Sequence, residues 1–231
     1  MRVAVVTGAS KGLGRALAEG LADHGWALVI DARGAEDLGR ARNGLADTTR
    51  VVAIAGDVTD PRHRARLAAE AAALGGAGLL VNNASDLGPS PLPHLVDYPI
   101  DALRRVFEVD VLAPLAMVQE LRAQLVRHGG TVLNISSDAA VEAYEGWGGY
   151  GAAKAALDQL TAVLAAEEPR LRVLAVDPGD LRTEMHQRAY PGEDISDRPV
   201  PESVVPHLLA LLADPPAGVR HRVADVAEAR A

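Results

Sequence analysis

Strands and helices that alternate along the whole chain predict a doubly wound α/β fold, one domain over residues 1–231 built on a mostly parallel seven-stranded sheet. Three observations carry that prediction. Short apolar runs recur at 3–6, 26–31, 51–55, 78–81 and 171–176, each too short for a helix and bounded by turn residues. Between them lie longer stretches with helical spacing of Ala and Leu, as in GYGAAKAALDQLTAVLAA, and such strand–helix–strand units join in right-handed crossovers. The length also fits: 231 residues with 48% hydrophobic content can bury a sizeable core, and folds of this kind commonly occupy such a length undivided.

Taken in order, the first strand, 3–6, runs into the turn TGASKGLG at 7–14 and then a helix to residue 24. Gly8, Gly12 and Gly14 let the backbone turn tightly and approach a pyrophosphate, whose charge the first N–H groups of the helix can bind. The second strand, 26–31, ends in Asp31-Ala32-Arg33, and a polar helix over 35–46 leads to the third strand, 51–55. Asp60 and Pro61 are an amino-cap and first-turn pair for the next helix. Strand four, 78–81, ends in Asn82-Asn83-Ala84-Ser85, and the proline-rich stretch 86–99 is a loop at the carboxyl end of that strand, where open α/β sheets bind ligands. A long helix is expected over 100–127. Strand five leads into Asn134-Ile135-Ser136-Ser137, strand six covers 171–176, a final helix spans 201–213, and a last strand at 219–224 precedes a frayed end at 225–231.

Composition excludes several function classes. The formal charge of −8, with no basic tract, argues against a nucleic-acid surface. Cysteine is absent, which excludes disulfides and thiolate metal sites and is compatible with a reducing cytoplasm, the expected location. The opening MRVAVVTGAS has one arginine and a four-residue apolar run, too short for a signal-peptide core or a membrane span. No metal site is expected, since His186 has no second ligand at a suitable spacing.

Residues 131–154 bring a hydroxyl, a phenol and an ammonium together. Tyr150 and Lys154 are four apart on a helix and therefore share one face, and a cation there favours phenolate over phenol, moving a side chain of pKa near ~10 toward acid–base work. Alone, such a pair also arises by chance on exposed helices. Here the turn TGASKGLG, the strand ending in Ser136-Ser137 and the pair Tyr150-x-x-x-Lys154 occur in that order, and together they resemble the short-chain dehydrogenase/reductase family. Asn82-Asn83-Ala84 and Pro178-Gly179-x-x-x-Thr183 add to the resemblance, which covers residues 3–183 by motif.

The resemblance implies a Rossmann-type NAD(P)-binding domain that interconverts a small-molecule carbonyl and an alcohol by hydride transfer. Ser137 would steady the substrate oxygen, Tyr150 exchange the proton, and Lys154 lower the tyrosine pKa and bind the nicotinamide ribose. Gly8, Ser10, Lys11, Gly12, Leu13 and Gly14 would line the pyrophosphate turn, with Asn83 and Ala84 beside it. Asp57 would offer its carboxylate to the adenine amino group, or serve only as a turn residue, and Val58 would offer an apolar face. Pro178, Gly179, Leu181 and Thr183 would hold the carboxamide. NAD-preferring relatives carry an acidic residue eighteen positions after Gly14, where this chain has Ala32. Arg33 and Lys11 occupy positions that are basic in NADP-preferring members, so NADP(H) is expected over NAD(H); the alternative is two solvated cations. Asp31 faces the other side of its strand, where it could pair with Arg33.

Two residues depart from the pattern. Ser85 replaces a glycine, and Asp110 replaces an asparagine that helps hold a proton-relay water, a relay that also uses backbone at this point. The loop 138–149 brings Glu142, Tyr144 and Trp147 toward the substrate side, Tyr144 being the rival phenol, and 184–200 reads as a lid whose Met185 and His186 could line the pocket. Relatives assemble as dimers or tetramers through two long helices, here 100–127 and 150–166. The competing reading is a non-catalytic NADP(H)-binding sensor of the same fold, although such proteins generally lose the tyrosine or lysine.

Overall fold

A computed structural model describes residues 1–228 of the chain. Its strands are β1 (Arg2–Val6), β2 (Trp26–Ala32), β3 (Val51–Ala55), β4 (Ala77–Asn82), β5 (Thr131–Ile135), β6 (Arg172–Asp177) and β7 (Arg220–Arg222). They form one sheet in the order β3-β2-β1-β4-β5-β6-β7. Every pairing is parallel, so the expected "mostly parallel" sheet is wholly so. The order reverses between β1 and β4, and the gap above that reversal is where such a sheet leaves room for a ligand.

Helices cover both faces because the strands are apolar on both. On β1, Ala4 and Val6 pack with α1 (Gly12–Asp23), α2 (Ala35–Leu45) and α8 (Val205–Ala213). Val3 and Val5 point the other way, toward α3 (Pro61–Ala73) and α5 (Ala113–His128). Asp60 caps α3 as its sequence predicts, accepting from the Arg62 N–H at 2.9 Å. Two further helices carry the site: α6 (Gly148–Glu167) and the short α7 (Glu184–Ala189). No helix among the described residues is long and apolar enough to cross a membrane.

Two expectations are corrected. The long helix of 100–127 is interrupted: α4 (Ile100–Phe107) passes through a wide π turn at Glu108–Leu112 before α5 resumes. Pro114 explains the break, since it has no N–H to offer the carbonyl four residues back and its ring crowds that carbonyl, which belongs to Asp110. The last strand stops at Arg222, and where a frayed end was expected α9 (Val223–Glu228) follows, burying Val223 and Val226, which lie three apart on one helical face. The rest of that stretch, 229–231, lies outside the described residues.

Candidate active site

The glycine turn between β1 and α1 is fixed from three sides. The Gly8 N–H donates to Asp31 Oδ1 at 2.8 Å, and Asp31 Oδ2 meets His63 Nε2 at 2.9 Å inside the protein. Asp31 is thus committed to the turn and leaves Arg33 alone. Thr7 Oγ1 accepts from the Asn83 and Ala84 N–H groups, both at 3.0 Å, and Asn83 Nδ2 donates to the Thr7 and Gly8 carbonyls at 2.9 and 3.1 Å. Asn83 and Ala84 therefore hold the turn in place from the tip of β4. The approach is as close as a backbone permits: a Cβ on Gly14 would lie 2.3 Å from Asn83 Nδ2 and 2.4 Å from the Gly8 carbonyl oxygen.

This turn opens a cleft of about 1080 Å³ along the carboxyl ends of the strands. Gly8, Ser10, Lys11, Gly12, Leu13, Gly14, Arg33, Asp57, Val58, Asn83, Ala84, Lys154, Pro178, Gly179, Leu181 and Thr183 all line it, as do Ser137, Tyr144, Trp147 and Met185. A cradle kept open by glycines at a helix start, continuous with a long cleft at the sheet's reversal, fits a dinucleotide. Glu142 is exposed and does not line the cleft.

Two expected partners are already engaged. Lys11 forms an ion pair with Glu184 across the cleft mouth. Asp57 pairs with Arg105 at 2.6 Å and accepts from the Thr59 N–H and hydroxyl at 2.9 and 2.8 Å. Burial works against ionisation of Asp57, but the Thr59 donors and the Arg105 guanidinium outweigh it and hold the carboxyl down to about 2.

The catalytic candidates sit at the far end. Ser137 follows β5; its hydroxyl donates to Asp138 Oδ1 at 3.0 Å, and its carbonyl accepts from Arg220 of β7 at 2.9 Å. Tyr150 lies in the first turn of α6 with Trp147 edge-on at 5.8 Å, and it does not line the cleft. It is only 9% exposed, packed in a cluster with Leu87, Met185 and Tyr190. Lys154, one turn along, is buried, with Nζ 5.3 Å from the Tyr150 ring centroid, 3.0 Å from the Ile135 carbonyl and 3.0 Å from Asp110 Oδ1.

The expected lowering of the tyrosine by lysine is present but outweighed: burial pushes the Tyr150 phenol above its ordinary value, Lys154 pulls it down, and Asp110 pushes it up again. Burial works to lower Lys154, but the charges of Asp110 and Tyr150 hold it above its ordinary value.

Other parts were not visible in the sequence. The phenol of Tyr98 is buried without a hydrogen-bond partner among the described residues, and burial, then Asp86 and Asp110, raise it, so Tyr144 is not the sole rival to Tyr150. Tyr144 itself is exposed and donates to Asp138 Oδ2 at 2.9 Å. Under α6 a buried chain runs from Asn82 Nδ2 to Asn134 Oδ1 at 2.7 Å, then from Asn134 Nδ2 to Thr161 Oγ1 at 2.8 Å. Polar residues in apolar strands are the signal that could have marked it. His186 is buried against Tyr190, ring centroids 5.0 Å apart, and lines the cleft wall. Residues 184–200 are less irregular than expected, because Thr183 caps α7 by accepting from the His186 N–H at 3.1 Å.

The family model for short chain dehydrogenases matches residues 2–194. An L-rhamnose 1-dehydrogenase (NAD(P)(+)) from Sphingomonas sp. is 32% identical over 206 residues, covering 85% of this chain and 77% of that protein. Sepiapterin reductase from Mus musculus is 35% identical over 201 residues, with 81% and 77% covered. The structure of an alcohol dehydrogenase from the archaeon Thermococcus sibiricus, complexed with 5-hydroxy-NADP, superposes with a TM-score of 0.84 at 26% identity, covering 96% of this chain and 94% of that one.

Proposed function

Because the chain belongs to the short-chain dehydrogenase family, we propose that this oxidoreductase interconverts a small carbonyl compound and its alcohol with NADP(H) as the preferred cofactor and NAD(H) as a possible one. The observation that carries the reading is that Ser137 and Lys154 line the same cleft as the glycine cradle, with the buried Tyr150 ring 5.3 Å from the Lys154 ammonium behind its wall. A bound nicotinamide dinucleotide would supply or accept the hydride.

The chain's own residues do the rest. Ser137, with Oγ anchored on Asp138, steadies the substrate oxygen. Tyr150 gives that oxygen its proton in reduction and takes it back in oxidation, and Lys154 opposes the cost of a phenolate in a buried site. Arg220 fixes the Ser137 backbone, so the hydroxyl is placed by two elements at once. Met185 and Tyr190 of the α7 region pack against the cluster that buries Tyr150, so the segment 184–200 serves as the lid that keeps water from the reacting atoms. Tyr144 and Trp147 shape the mouth. We read the whole chain as one catalytic domain.

A panel of aldehydes, ketones and secondary alcohols followed by NADPH or NADP absorbance identifies the substrate class. With the best of these, Tyr150→Phe is expected to lower kcat by ~10²–10⁴-fold while NADPH binding is largely retained. A variant that kept more than about a tenth of wild-type turnover, with chemistry rate-limiting, would remove Tyr150 from the role of proton donor.

A further inference from the structure

The two residues that depart from the family pattern meet in the fold. Ser85, where the family has glycine, donates its hydroxyl proton to Oδ1 of Asp110, where the family has asparagine. Asp110 is fully buried, and its other neighbours are donors too: Lys154 Nζ at 3.0 Å from Oδ1 and the Asp86 N–H at 2.9 Å from Oδ2. Donors on both oxygens suit a carboxylate, whereas an asparagine would turn N–H groups onto one of them. Ser85 therefore acts on the site through Asp110, its one hydroxyl proton helping to hold the ionised carboxylate.

Resting on the reading of Tyr150 as the acid–base group, we propose that Ser85 and Asp110 act together as positioning residues that keep Tyr150 in its proton-bearing form and so bias the site toward carbonyl reduction. Charge counting gives the reason. Burial raises Asp110 above the ordinary carboxylate range, while Lys154, the Ser85 hydroxyl and the Asp86 N–H oppose that rise and favour the ionised form; ionised, it cancels Lys154, so removing the Tyr150 proton leaves a net negative charge in a buried site. With asparagine at 110 it would leave none.

The other groups facing the cluster do not reverse this. Asp177 at the end of β6 pushes the same way as Asp110. Asp158 on α6 acts on Lys154, and Asp86 in the loop after β4 has Arg105 of α4 within 3.9 Å. The Tyr98 phenol has its pKa raised by burial and then by Asp86 and Asp110, so it stays neutral and adds no charge. In reduction the Tyr150 O–H bond breaks, its electron pair stays on the phenolate oxygen and the proton goes to the substrate oxygen. Oxidation needs phenolate beforehand, which is the form Asp110 opposes.

The test is an ultraviolet pH titration of tyrosinate on the full chain, with Tyr150→Phe as the subtraction that isolates this phenol. Because it needs no turnover, its outcome is separate from that of the Tyr150→Phe rate measurement, which alone decides the acid–base reading. Asp110→Asn is expected to lower the Tyr150 midpoint by about 1 pH unit or more. Ser85→Gly is expected to lower it by less, and the double variant to fall short of the sum, since the two act through one hydrogen bond. Circular dichroism checks each fold, and if Asp110→Asn does not fold, Ser85→Gly decides. A midpoint that is unchanged or raised in the folded variants would overturn the proposal.

Discussion

Where β2 runs out at the cleft, Arg33 stands exposed beside the buried Ala32, and no ion pair among the described residues engages its guanidinium. The nearby acids are occupied: Asp31 by Gly8 and His63, and Asp37 by Arg40, which also holds Glu36. A ribose 2′-phosphate arriving there meets a planar fork of donors and no free carboxylate. Lys11 contributes only by leaving Glu184, an exposed pair of little intrinsic strength. The expected outcome is tighter binding of NADPH than NADH, with Arg33→Ala and Lys11→Ala together removing most of that preference, each contact being worth roughly 1.5–3 kcal/mol. Dissociation constants for both cofactors at fixed salt measure it, and tighter NADH binding by the wild type would end the NADP assignment. Residue identities at this scale were legible because the glycine turn, Tyr150 and Lys154 are local patterns. The Ser85 contact to Asp110 was not, since the two residues are 25 positions apart and meet only when β4 and the π turn are assembled.

At the scale of elements, α6 carries both Tyr150 and Lys154, and its seat on the sheet is polar as well as apolar. Asn134 on β5 joins Asn82 on β4 to Thr161 on α6, and Thr161 Oγ1 closes the chain on the Leu157 carbonyl at 2.6 Å. Asn134→Leu would take from Asn82 its 2.7 Å acceptor, leaving only the Pro114 carbonyl at 3.5 Å, and from Thr161 a donor while its bond to Leu157 stays, at about 1–3 kcal/mol in all. We expect a lower urea midpoint at unchanged m-value, together with a lower kcat if α6 shifts. An unchanged midpoint would mean that the link contributes nothing to stability. Strand and helix order could be read from apolar runs and their spacing, and Asp60 announced the start of α3. The π turn could not be placed, because Pro114 reads equally well as a first-turn proline of a new helix, and α9 was missed because only two apolar residues, Val223 and Val226, carry its pattern.

For the whole molecule, the apolar surface that remains uncovered lies partly on the helices expected to mediate assembly: Ile100 on α4, Leu112 in the π turn and Val163 on α6 are 59%, 50% and 41% exposed. A homodimer or homotetramer covering them is the expected state, measured as a multiple of 24.1 kDa by sedimentation equilibrium. Leu112→Glu with Val163→Glu should shift the protein toward monomer with its circular dichroism intact, and a monomeric wild type would exclude this assembly. The strand order also imposes a sequence in time. β1 first finds β2, and β2 finds β3, but the other edge of β1 stays open until β4 is made, since Val6 pairs with Val81. At about 5–20 residues per second, that edge waits for seconds on a growing chain, with apolar Val3 and Val5 beside it. The Thr7 contacts that set the glycine turn come into being with β4, whereas the backbone of Ser137 gains its Arg220 anchor only with β7. Synthesis therefore makes the strands that set the glycine turn well before the β7 anchor of Ser137, while α1 behind that turn waits for α8 to cover it.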